Sequence, residues 1–564
     1  MYKRQIELSG KIKNLDLISQ YLKEEIINLI NNLHQITRTY LTLDDINYLI
    51  EQDSLDKIQH SEEIIDILPA SSLQQGFMYQ SLNNFQNDNA YMCAYTFEYN
   101  SSVDVNLYKQ SWKLVQEKYP SLRLSLDVVD GEVVQIIHKK GKLDFEYIET
   151  DEIDRLILKE RNNLFTLSDG SLFRVRLVKT SDNRYICVLI NHHAILDGWS
   201  NSLLMNNIHN FYYELFTNSD ISMEVDDAYI EGQRFIHNNL KNAKKYWDEN
   251  LNEVSHPDIS GLFRVDKSQT KIEEVNLIQK PRDQVFILEN PIYDSLKHFS
   301  KANGITINII LQYAWHKLLS VYGGIKETTI GVVNSGRQYP INGIEDSVGL
   351  YIQTVPIQFE HSNTDLKLAL SSLQTINQSA LANGGVNLAE LQTNRTRLFD
   401  TVFIYENYPL ESNDLPESNA KLEIDDVQAV EKLDYPVTIV VFEKNSNLYL
   451  QCKYDDELFE EDTIEKLFKF MSSIVKQIVT DIPSLTYVES TPKFNVARYT
   501  QSTIVEKFEL QALMKPNITA LKCGHTELTY SQLNSLSNIF ARNLITKFNV
   551  QVGDRVPLLS LIHI

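Results

Sequence analysis

The stretch that most constrains the fold is His192-His193-Ala194-Ile195-Leu196-Asp197-Gly198-Trp199-Ser200. It lies between two segments of different periodicity. Residues 185–190 are apolar and mostly β-branched or aromatic, which predicts a buried strand. Residues 200–216 carry apolar side chains at helical spacing, with Ser200 as the expected N-cap. The motif therefore occupies a strand-to-helix turn, where the surrounding core can aim a side chain into a cleft.

The residue types in this turn suggest proton transfer. A neutral imidazole has a pKa of about 6.5, so either histidine can accept a proton near neutral pH. Asp197 is expected either to pair with a buried cation or to join the histidines on a metal ion. The metal interpretation is weak because adjacent side chains diverge and no His-x-x-x-His or Cys pair completes a zinc set. In the other interpretation, the two histidines only satisfy backbone hydrogen bonds. The Asp-Gly-Trp-Ser that follows them disfavours this purely structural role.

The motif resembles the signature of the condensation domains of nonribosomal peptide synthetases, relatives of the chloramphenicol acetyltransferase-type acyltransferases. Further segments are similar to this family's motifs, in the family's order and over about residues 65–485: 68–79, 119–123, 229–247, 334–356 and 395–409. Gln353 departs from the pattern, because the family's usual Asn-Thr-Leu-Pro is Gln353-Thr354-Val355-Pro356 here. The glutamine side chain is one methylene longer, so any polar contact made there must have a different geometry. We therefore assign no catalytic role to Gln353.

The resemblance implies an α/β fold. We expect two chloramphenicol acetyltransferase-like lobes, each a mixed sheet with flanking helices, arranged as a V around a central tunnel. Residues 1–60 are expected to be the tail of a preceding domain, with epimerization as the candidate, plus a linker. Residues 61–235 form the expected N-lobe and 236–487 the C-lobe. Residues 488–564 are expected to be a linker and the truncated start of an adenylation (AMP-binding) domain. Both ends look cut, so we expect a fragment of a longer synthetase.

The resemblance also implies an activity and partners. It implies a peptide bond between an upstream peptidyl or aminoacyl thioester, for which a D-configured donor is favoured, and the amine of a downstream aminoacyl thioester. Both substrates are expected on the phosphopantetheine arms of upstream and downstream peptidyl carrier domains, with an adenylation domain in cis. No cofactor is expected to bind the condensation domain, and ATP with Mg²⁺ belongs to the complete adenylation domain, which is missing here.

The family pattern assigns a role to each candidate site residue. His193 is expected to position or deprotonate the amine, and the Gly198 N–H to face a developing oxyanion. Asp197 is expected to pair with Arg337 from the other lobe as a structural support. The remaining candidates are support residues and tunnel-lining residues, with no metal site: His192 and Trp199 for support, and Arg123, Gln353 and Ser200 for the tunnel.

Composition limits the partners. The formal net charge of −22 argues against a nucleic-acid surface, which needs a basic stripe. No apolar run is long enough to span a membrane. The four cysteines show neither metal spacing nor a disulfide framework, which suits a reducing cytoplasm.

Three alternatives stay open. An epimerization domain carries the same His-His-Asp motif, although the order Gly198-Trp199-Ser200 and the segment 334–356 favour condensation. A non-catalytic platform that recruits carrier proteins is disfavoured because both histidines are intact. A freestanding acyltransferase that uses coenzyme A is disfavoured by the adenylation-like segment.

Overall fold

The computed structural model describes residues 15–33, 40–82, 89, 91–182, 184–251, 262–264, 267, 280–323, 325–361, 365–392, 397–406, 421–430, 435–444, 446–480, 504–523 and 526–548. The chain divides into two compact units, Met1–Thr486 and Tyr487–Ile564.

The first unit alternates helices and strands. Its described helices are α1 (Leu15–Leu33), α2 (Gln52–Ser61), α3 (Ser72–Leu82), α4 (Val105–Lys118), α5 (Ile153–Asn162), α6 (Gly198–Thr217), α7 (Ala228–Asn250), α8 (Asn290–Asn303), α9 (Ile307–Gly323), α10 (Leu366–Ala382), α11 (Leu388–Leu391) and α12 (Glu461–Val479). Its described strands are β1 (Ile64–Pro69), β2 (Met92–Tyr99), β3 (Leu124–Val129), β4 (Glu132–His138), β5 (Asp144–Glu149), β6 (Phe173–Lys179), β7 (Tyr185–His192), β8 (Pro281–Leu288), β9 (Glu327–Asn334), β10 (Gln353–Glu360), β11 (Thr401–Glu406), β12 (Ile424–Val430), β13 (Val437–Lys444) and β14 (Asn447–Asp455).

The first half of this unit, up to about residue 235, contains a three-stranded sheet and four strands of a five-stranded sheet. The five-stranded sheet has the order β12-β2-β7-β6-β5 and the other the order β1-β4-β3. The strand predicted before the histidines is β7, which pairs antiparallel with both β2 and β6 and is buried along residues 185–191. Because β5 and β6 run parallel, the sheet is mixed. The prediction of an α/β fold with mixed sheets is confirmed.

The second half is built on a six-stranded mixed sheet of order β10-β9-β11-β13-β14-β8. Strand β11 runs parallel to both of its neighbours, and the other pairs are antiparallel. Helices α8, α9, α10 and α12 bury their apolar side chains against it in the largest core of the chain. This core includes the fully buried Trp315 on α9.

The two halves interlock. Strand β12 comes from the C-lobe range 236–487, yet it pairs with β2 of the first half, with Val427 opposite Phe97. The loop between β9 and β10 also enters the first half, because Ile344 and Tyr351 belong to its core. A chain cut at residue 235 would separate these contacts. The predicted lobe ranges stay predictions, but the packing is not a simple division at that residue.

Residues 40–61 pack onto the first half, in contrast to the expectation that residues 1–60 belong to a preceding domain and a linker. Ile46, Ile50 and Leu55 form a buried cluster with Ile67 of β1 and Ile136 of β4. Residues 54–63 are mostly polar, which is typical of a linker, because only one side of α2 is apolar. Leu55, on that side, is 0% exposed.

Helix α1 has apolar side chains that are exposed, such as Leu29 and Ile30. Among the helices that the structure describes, none combines the length and apolarity needed to cross a membrane.

The second unit contains α13 (Ile504–Met514), an antiparallel hairpin of β15 (Thr519–Cys523) and β16 (Thr526–Thr529), and α14 (Tyr530–Phe548). Residues 528–534 span the end of β16 and the start of α14. The assignment of this unit to an adenylation domain stays a prediction.

Candidate active site

The His-His turn is anchored on both sides by backbone hydrogen bonds. The His192 N–H donates to the Leu172 carbonyl and the His193 N–H to the Tyr91 carbonyl, each at 2.9 Å. Behind the histidines, Ala194, Ile195 and Leu196 are at most 1% exposed. Since the apolar part of the turn lies in the core, the adjacent side chains are held at defined positions.

Helix α6 begins at Gly198, and its N-cap is Asp197, not Ser200 as the sequence predicted. The Asp197 Oδ1 accepts from the Ser200 N–H at 2.9 Å, which places Ser200 inside the first turn. A carboxylate is as good an N-cap as a hydroxyl and is also favoured by the positive end of the helix dipole. The prediction that Ser200 caps this helix is therefore wrong.

His193 has one nitrogen fixed by the turn. Its Nδ1 lies 2.9 Å from the Leu196 carbonyl oxygen, which can only accept, so Nδ1 carries the proton. In the neutral ring Nε2 is then the acceptor nitrogen. The side chain is partly exposed, so the ring is not sealed in the core. This arrangement presents a proton acceptor at the surface of the turn.

His192 is arranged in the opposite way. Its Nδ1 accepts the Ala194 N–H at 3.1 Å, so its proton lies on Nε2. Burial, with a smaller contribution from the charge of His193, lowers the pKa of His192 to about 3. The ring therefore stays neutral near pH 7, and its acceptor nitrogen is already used within the turn. This distinction favours His193 as the proton acceptor and leaves His192 in support.

Asp197 and Arg337 form a buried two-point ion pair. The Arg337 Nη1 donates to Oδ2 at 3.0 Å and Nη2 donates to Oδ1 at 3.2 Å. Oδ2 also accepts the Tyr351 N–H at 3.0 Å. The turn before Arg337 requires glycine, since Gly336 has a φ of +69° and a Cβ there would lie 1.9 Å from the Tyr351 carbonyl oxygen. The contact expected between these two side chains is present.

Ser200 lies at the centre of this cluster and does not line a tunnel. Ser200 is 0% exposed. Its Oγ donates a hydrogen bond to Asp197 and accepts one from Arg337 Nη2 at 2.9 Å. The Gly349 N–H also donates to this Oγ at 3.0 Å. The prediction that Ser200 is tunnel-lining is wrong, because every direction around the hydroxyl is taken by the ion pair and the β9–β10 loop.

The structure does not place Arg123 in the predicted tunnel-lining position. It is 3% exposed, and its guanidinium donates to four backbone carbonyls of the first half. These belong to Gln116, Glu117, His138 and Lys139. Arg123 therefore ties the end of α4 to the end of β4.

Trp199 and Gln353 have defined partners. The Trp199 Nε1 donates to the Glu345 carbonyl at 3.0 Å, and its ring lies 5.4 Å from the Arg337 guanidinium. Gln353, buried at 7% exposure, accepts the Tyr339 hydroxyl through Oε1 at 3.0 Å. Its extra methylene is accommodated because Gly384 opposes it. Trp199 thus supports the ion pair, whereas Gln353 closes the base of the β9–β10 loop.

The sequence interpretation missed a buried amide network behind the turn. The Gln74 Nε2 donates to the Ala194 carbonyl at 3.0 Å and to Gln135 Oε1 at 3.2 Å. The Tyr229 hydroxyl donates to the same Gln135 oxygen at 2.5 Å, and Gln233 Nε2 donates to the Leu350 carbonyl at 3.1 Å. The network therefore connects the turn to both halves. Its members lie far apart in sequence, and the only local signal is Ser71-x-x-Gln74 at the start of α3.

A second group of catalytic residue types lies apart from this turn. His138 Nε2 is 2.8 Å from the Ser125 Oγ, and its Nδ1 is 2.8 Å from the Glu62 Oε2. Ser125 is 2% exposed, and the Nδ1 contact lacks hydrogen-bond alignment. A nucleophile without access to substrate has no use in acyl transfer, so we interpret this group as structural. Within the described part of the chain, no cluster of His, Cys, Asp and Glu could hold a metal ion.

The comparison with family models decides the family. The model named Condensation domain matches residues 64–491. The chain belongs to the condensation-domain family. In this condensation domain, the matched range contains the His-His turn, the Arg337 loop and every candidate site residue. The family expected from the motifs is confirmed.

Among curated proteins, this condensation domain is similar to N-(5-amino-5-carboxypentanoyl)-L-cysteinyl-D-valine synthase of Penicillium rubens, with 30% identity over 563 residues. The match covers 93% of this chain and 15% of the synthase. Bacitracin synthase 3 of Bacillus licheniformis is 25% identical over 507 residues, a match that covers 85% of this chain and 8% of that relative. The chain therefore spans a small part of the relatives it matches.

Among solved structures, this condensation domain resembles the condensation domain of the monacolin K polyketide synthase MokA, with a TM-score of 0.62. The likeness covers 75% of this chain and 99% of that one at 14% identity. The epimerization domain of the third module of tyrocidine synthetase B is also similar, with a TM-score of 0.56, 16% identity and coverage of 73% and 97%. At these identities the likeness shows the shared fold and does not separate condensation from epimerization.

Proposed function

We propose that this condensation domain forms a peptide bond between two thioester-bound substrates. The amine nitrogen of a downstream aminoacyl thioester attacks the carbonyl carbon of an upstream peptidyl or aminoacyl thioester. A C–N bond forms, the C–S bond breaks, and the proton released by the amine ends on the departing thiol. In this sense the domain is an acyltransferase that makes an amide.

The observation that carries the proposal is the fixed tautomer of His193. Because Nδ1 donates to the Leu196 carbonyl, Nε2 is the acceptor that meets the amine proton. The attacking nitrogen must be unprotonated, and an acceptor at Nε2 both orients it and receives its proton. His192 cannot take this part, since its own acceptor nitrogen holds the Ala194 N–H.

Gly198 supports the proposal from the start of helix α6. The first N–H groups of a helix have no acceptor within the helix and lie at its positive end. Asp197 takes up the Ser200 N–H, and Gly198 lies ahead of that contact at the first helical position. We assign its N–H to the oxyanion that develops when the amine adds to the thioester carbonyl.

The partners follow from the same chemistry. Phosphopantetheine arms of an upstream and a downstream peptidyl carrier domain bring the two thioesters together at His193, and alignment of tethered reactants lowers the barrier by several kcal/mol. A D-configured donor and an adenylation domain in cis complete the proposal. The described cysteines Cys93, Cys187 and Cys452 are buried thiols, which fits a reducing, cytoplasmic setting.

The test reconstitutes the reaction. The chain is mixed with one carrier domain loaded with a D- or L-aminoacyl group and a second loaded with an L-aminoacyl group, and the dipeptidyl thioester is measured by mass spectrometry. We expect product from the wild type and a loss of at least about 100-fold for His193→Ala. His298→Ala, which changes an exposed histidine on α8, serves as the matched control and retains full activity.

The other outcomes identify the alternatives. Inversion of a single loaded residue without dipeptide would assign the chain to epimerization. Binding of carrier domains with neither product would assign it to a recruiting platform. Wild-type turnover by a folded His193→Ala variant would remove His193 from the reaction.

A further inference from the structure

Helix α3 carries two buried side chains that contact the His-His turn. Gln74 is 0% exposed and Phe77 is 6% exposed. They are three residues apart, so they lie on the same face of the helix. Neither belongs to the motif that contains the histidines, and both come from a segment more than a hundred residues earlier.

The start of α3 fixes the direction of the Gln74 amide. The Ser71 Oγ accepts the Gln74 N–H at 3.3 Å, and Gln74 Oε1 accepts the Ser71 N–H at 2.8 Å. This reciprocal pair is a capping box. With Oε1 engaged there, the amide nitrogen is turned towards the Ala194 carbonyl, to which it donates at 3.0 Å. The helix cap therefore also holds the backbone next to His193.

The Phe77 ring contacts both imidazoles. It is stacked with the His193 ring, with centroids 6.1 Å apart and planes 23° apart, and it meets His192 edge-on at 5.5 Å. The Tyr91 ring packs on Phe77 at 4.4 Å. The Tyr91 carbonyl also accepts the His193 N–H. Phe77 thus lies in a fixed aromatic group next to the histidine that we assign to proton transfer.

The Phe77 contacts restrict the orientation of the His193 ring, which the hydrogen bond to Leu196 does not fix alone. One hydrogen bond at Nδ1 sets the tautomer of His193, but the ring can still tilt about that bond. A stacked ring on one face restricts the tilt, since offset stacking favours a narrow range of orientations. The direction of the Nε2 lone pair then depends on Phe77 as well as on Leu196.

We propose that Phe77, supported by Gln74, is a positioning residue that sets the plane of the His193 ring and hence the direction in which Nε2 meets the substrate amine. The inference rests on the proposed function, because it concerns the step assigned to His193. Phe77 acts through the imidazole and does not touch the reacting atoms. Gln74 holds the carbonyl that follows His193, so that the ring and its backbone are fixed from the same helix.

The test compares substitutions of two phenylalanines of similar burial in the same core. Phe77→Leu removes the stacked face, while Phe97→Leu changes a β2 residue that is 5% exposed. In the carrier-domain assay we expect Phe77→Leu to lower kcat by about 10- to 100-fold with KM for each loaded carrier changed by less than about threefold. Phe97→Leu should lose a similar amount of stability and keep kcat. Phe77→Tyr, which retains the ring, should restore most of the rate.

The outcomes separate this inference from the proposed function. A wild-type chain that forms no dipeptide overturns the proposed function and this inference together. Product from the wild type with equal kcat for Phe77→Leu and Phe97→Leu overturns the inference alone. Failure of Phe77→Tyr to recover more activity than Phe77→Leu also overturns it, because a packing role without ring alignment would not distinguish them.

Discussion

Arg337 holds both carboxylate oxygens of Asp197, although the two residues are 140 positions apart. The side chains are only 2% and 0% exposed, so neither charge has water as an alternative partner. Arg337 comes from the loop between β9 and β10, and Asp197 caps the helix that follows the histidines. The pair therefore fixes the end of the His-His turn to the other half of the domain.

Removal of either partner should destabilise the fold. For Arg337→Ala and Asp197→Ala we expect a loss of about 3–5 kcal/mol in the free energy of unfolding, because each leaves an uncompensated buried charge. Urea unfolding followed by circular dichroism measures it. The control is Arg184→Ala, which removes an exposed arginine that pairs with Glu98 and Asp182 and should destabilise the fold far less than Arg337→Ala, because water screens that pair. Equal losses for Arg337→Ala and Arg184→Ala would contradict the buried-pair interpretation.

The packing of residues 40–61 on the first half predicts an effect of Leu55. Leu55→Ala should cost about 2–5 kcal/mol, since it removes a fully buried side chain between α2 and the three-stranded sheet. Leu158→Ala on α5, where the leucine is 59% exposed, should change stability by about 0.5 kcal/mol or less. Thermal or urea unfolding compares them. If both variants match the wild type, the segment is not part of this domain's core.

Gln353 and Gly384 should be energetically coupled. A Cβ at Gly384 would lie 1.9 Å from the Gln353 Oε1, so Gly384→Ala must displace the amide from the Tyr339 hydroxyl, at a cost of about 1–3 kcal/mol. Gln353→Asn shortens the side chain and makes room for the new methyl group. The double variant should therefore lose less stability than the sum of the two single losses. Strict additivity in a double-mutant cycle would show that the two positions do not share this space.

Histidines whose pKa is lowered in the folded chain should make the fold sensitive to acid. Burial lowers the pKa of His192 to about 3 and that of His209 and His361 to about 4, and it lowers the pKa of His316 strongly. These groups stay neutral in the folded chain, while the unfolded chain takes up protons below about pH 6.5. The unfolded state then binds more protons, so the free energy of unfolding should fall as the pH drops from about 6.5 towards 4.

The contribution of one histidine can be isolated by comparing variants. Burial raises the pKa of Asp66 and Asp226, which acts in the opposite direction at the acid end, so the total slope mixes both kinds of group. His316→Gln should reduce the acid slope by about 1.4 kcal/mol per pH unit between pH 5 and 6, the contribution of one proton. His298→Gln, on the exposed side of α8, should leave it unchanged. Urea unfolding at several pH values measures the slopes, and an unaltered slope for His316→Gln would contradict the prediction.

Local patterns in the sequence were enough for several elements of the fold. The apolar run 185–190 predicts β7, and the helical spacing of 200–216 predicts most of α6. These predictions succeed because helix and strand periodicity follow from which face each segment buries. The family also follows from sequence, since its motifs occur in order along the chain.

Other features were decided only by tertiary contacts. The sequence predicted Ser200 as a cap and a tunnel residue, but Arg337 and Asp197 close over its hydroxyl from two halves of the domain. Arg123 lies in the segment 119–123, which is similar to a family motif and was predicted to line the tunnel. Its guanidinium instead donates to backbone carbonyls at the ends of α4 and β4. Whether a polar side chain faces a cleft or the core depends on which partners arrive from distant segments, and no local pattern encodes that.

The sequence by itself located the His-His turn, because the types, order and spacing of its residues match a family motif between a strand and α6. Only the folded chain decided which histidine presents its acceptor nitrogen. The Leu196 carbonyl fixes the proton of His193 on Nδ1, whereas the Ala194 N–H engages Nδ1 of His192. The physical reason is that a tautomer depends on the donor or acceptor that faces each ring nitrogen, and those partners are set by the path of the backbone in three dimensions.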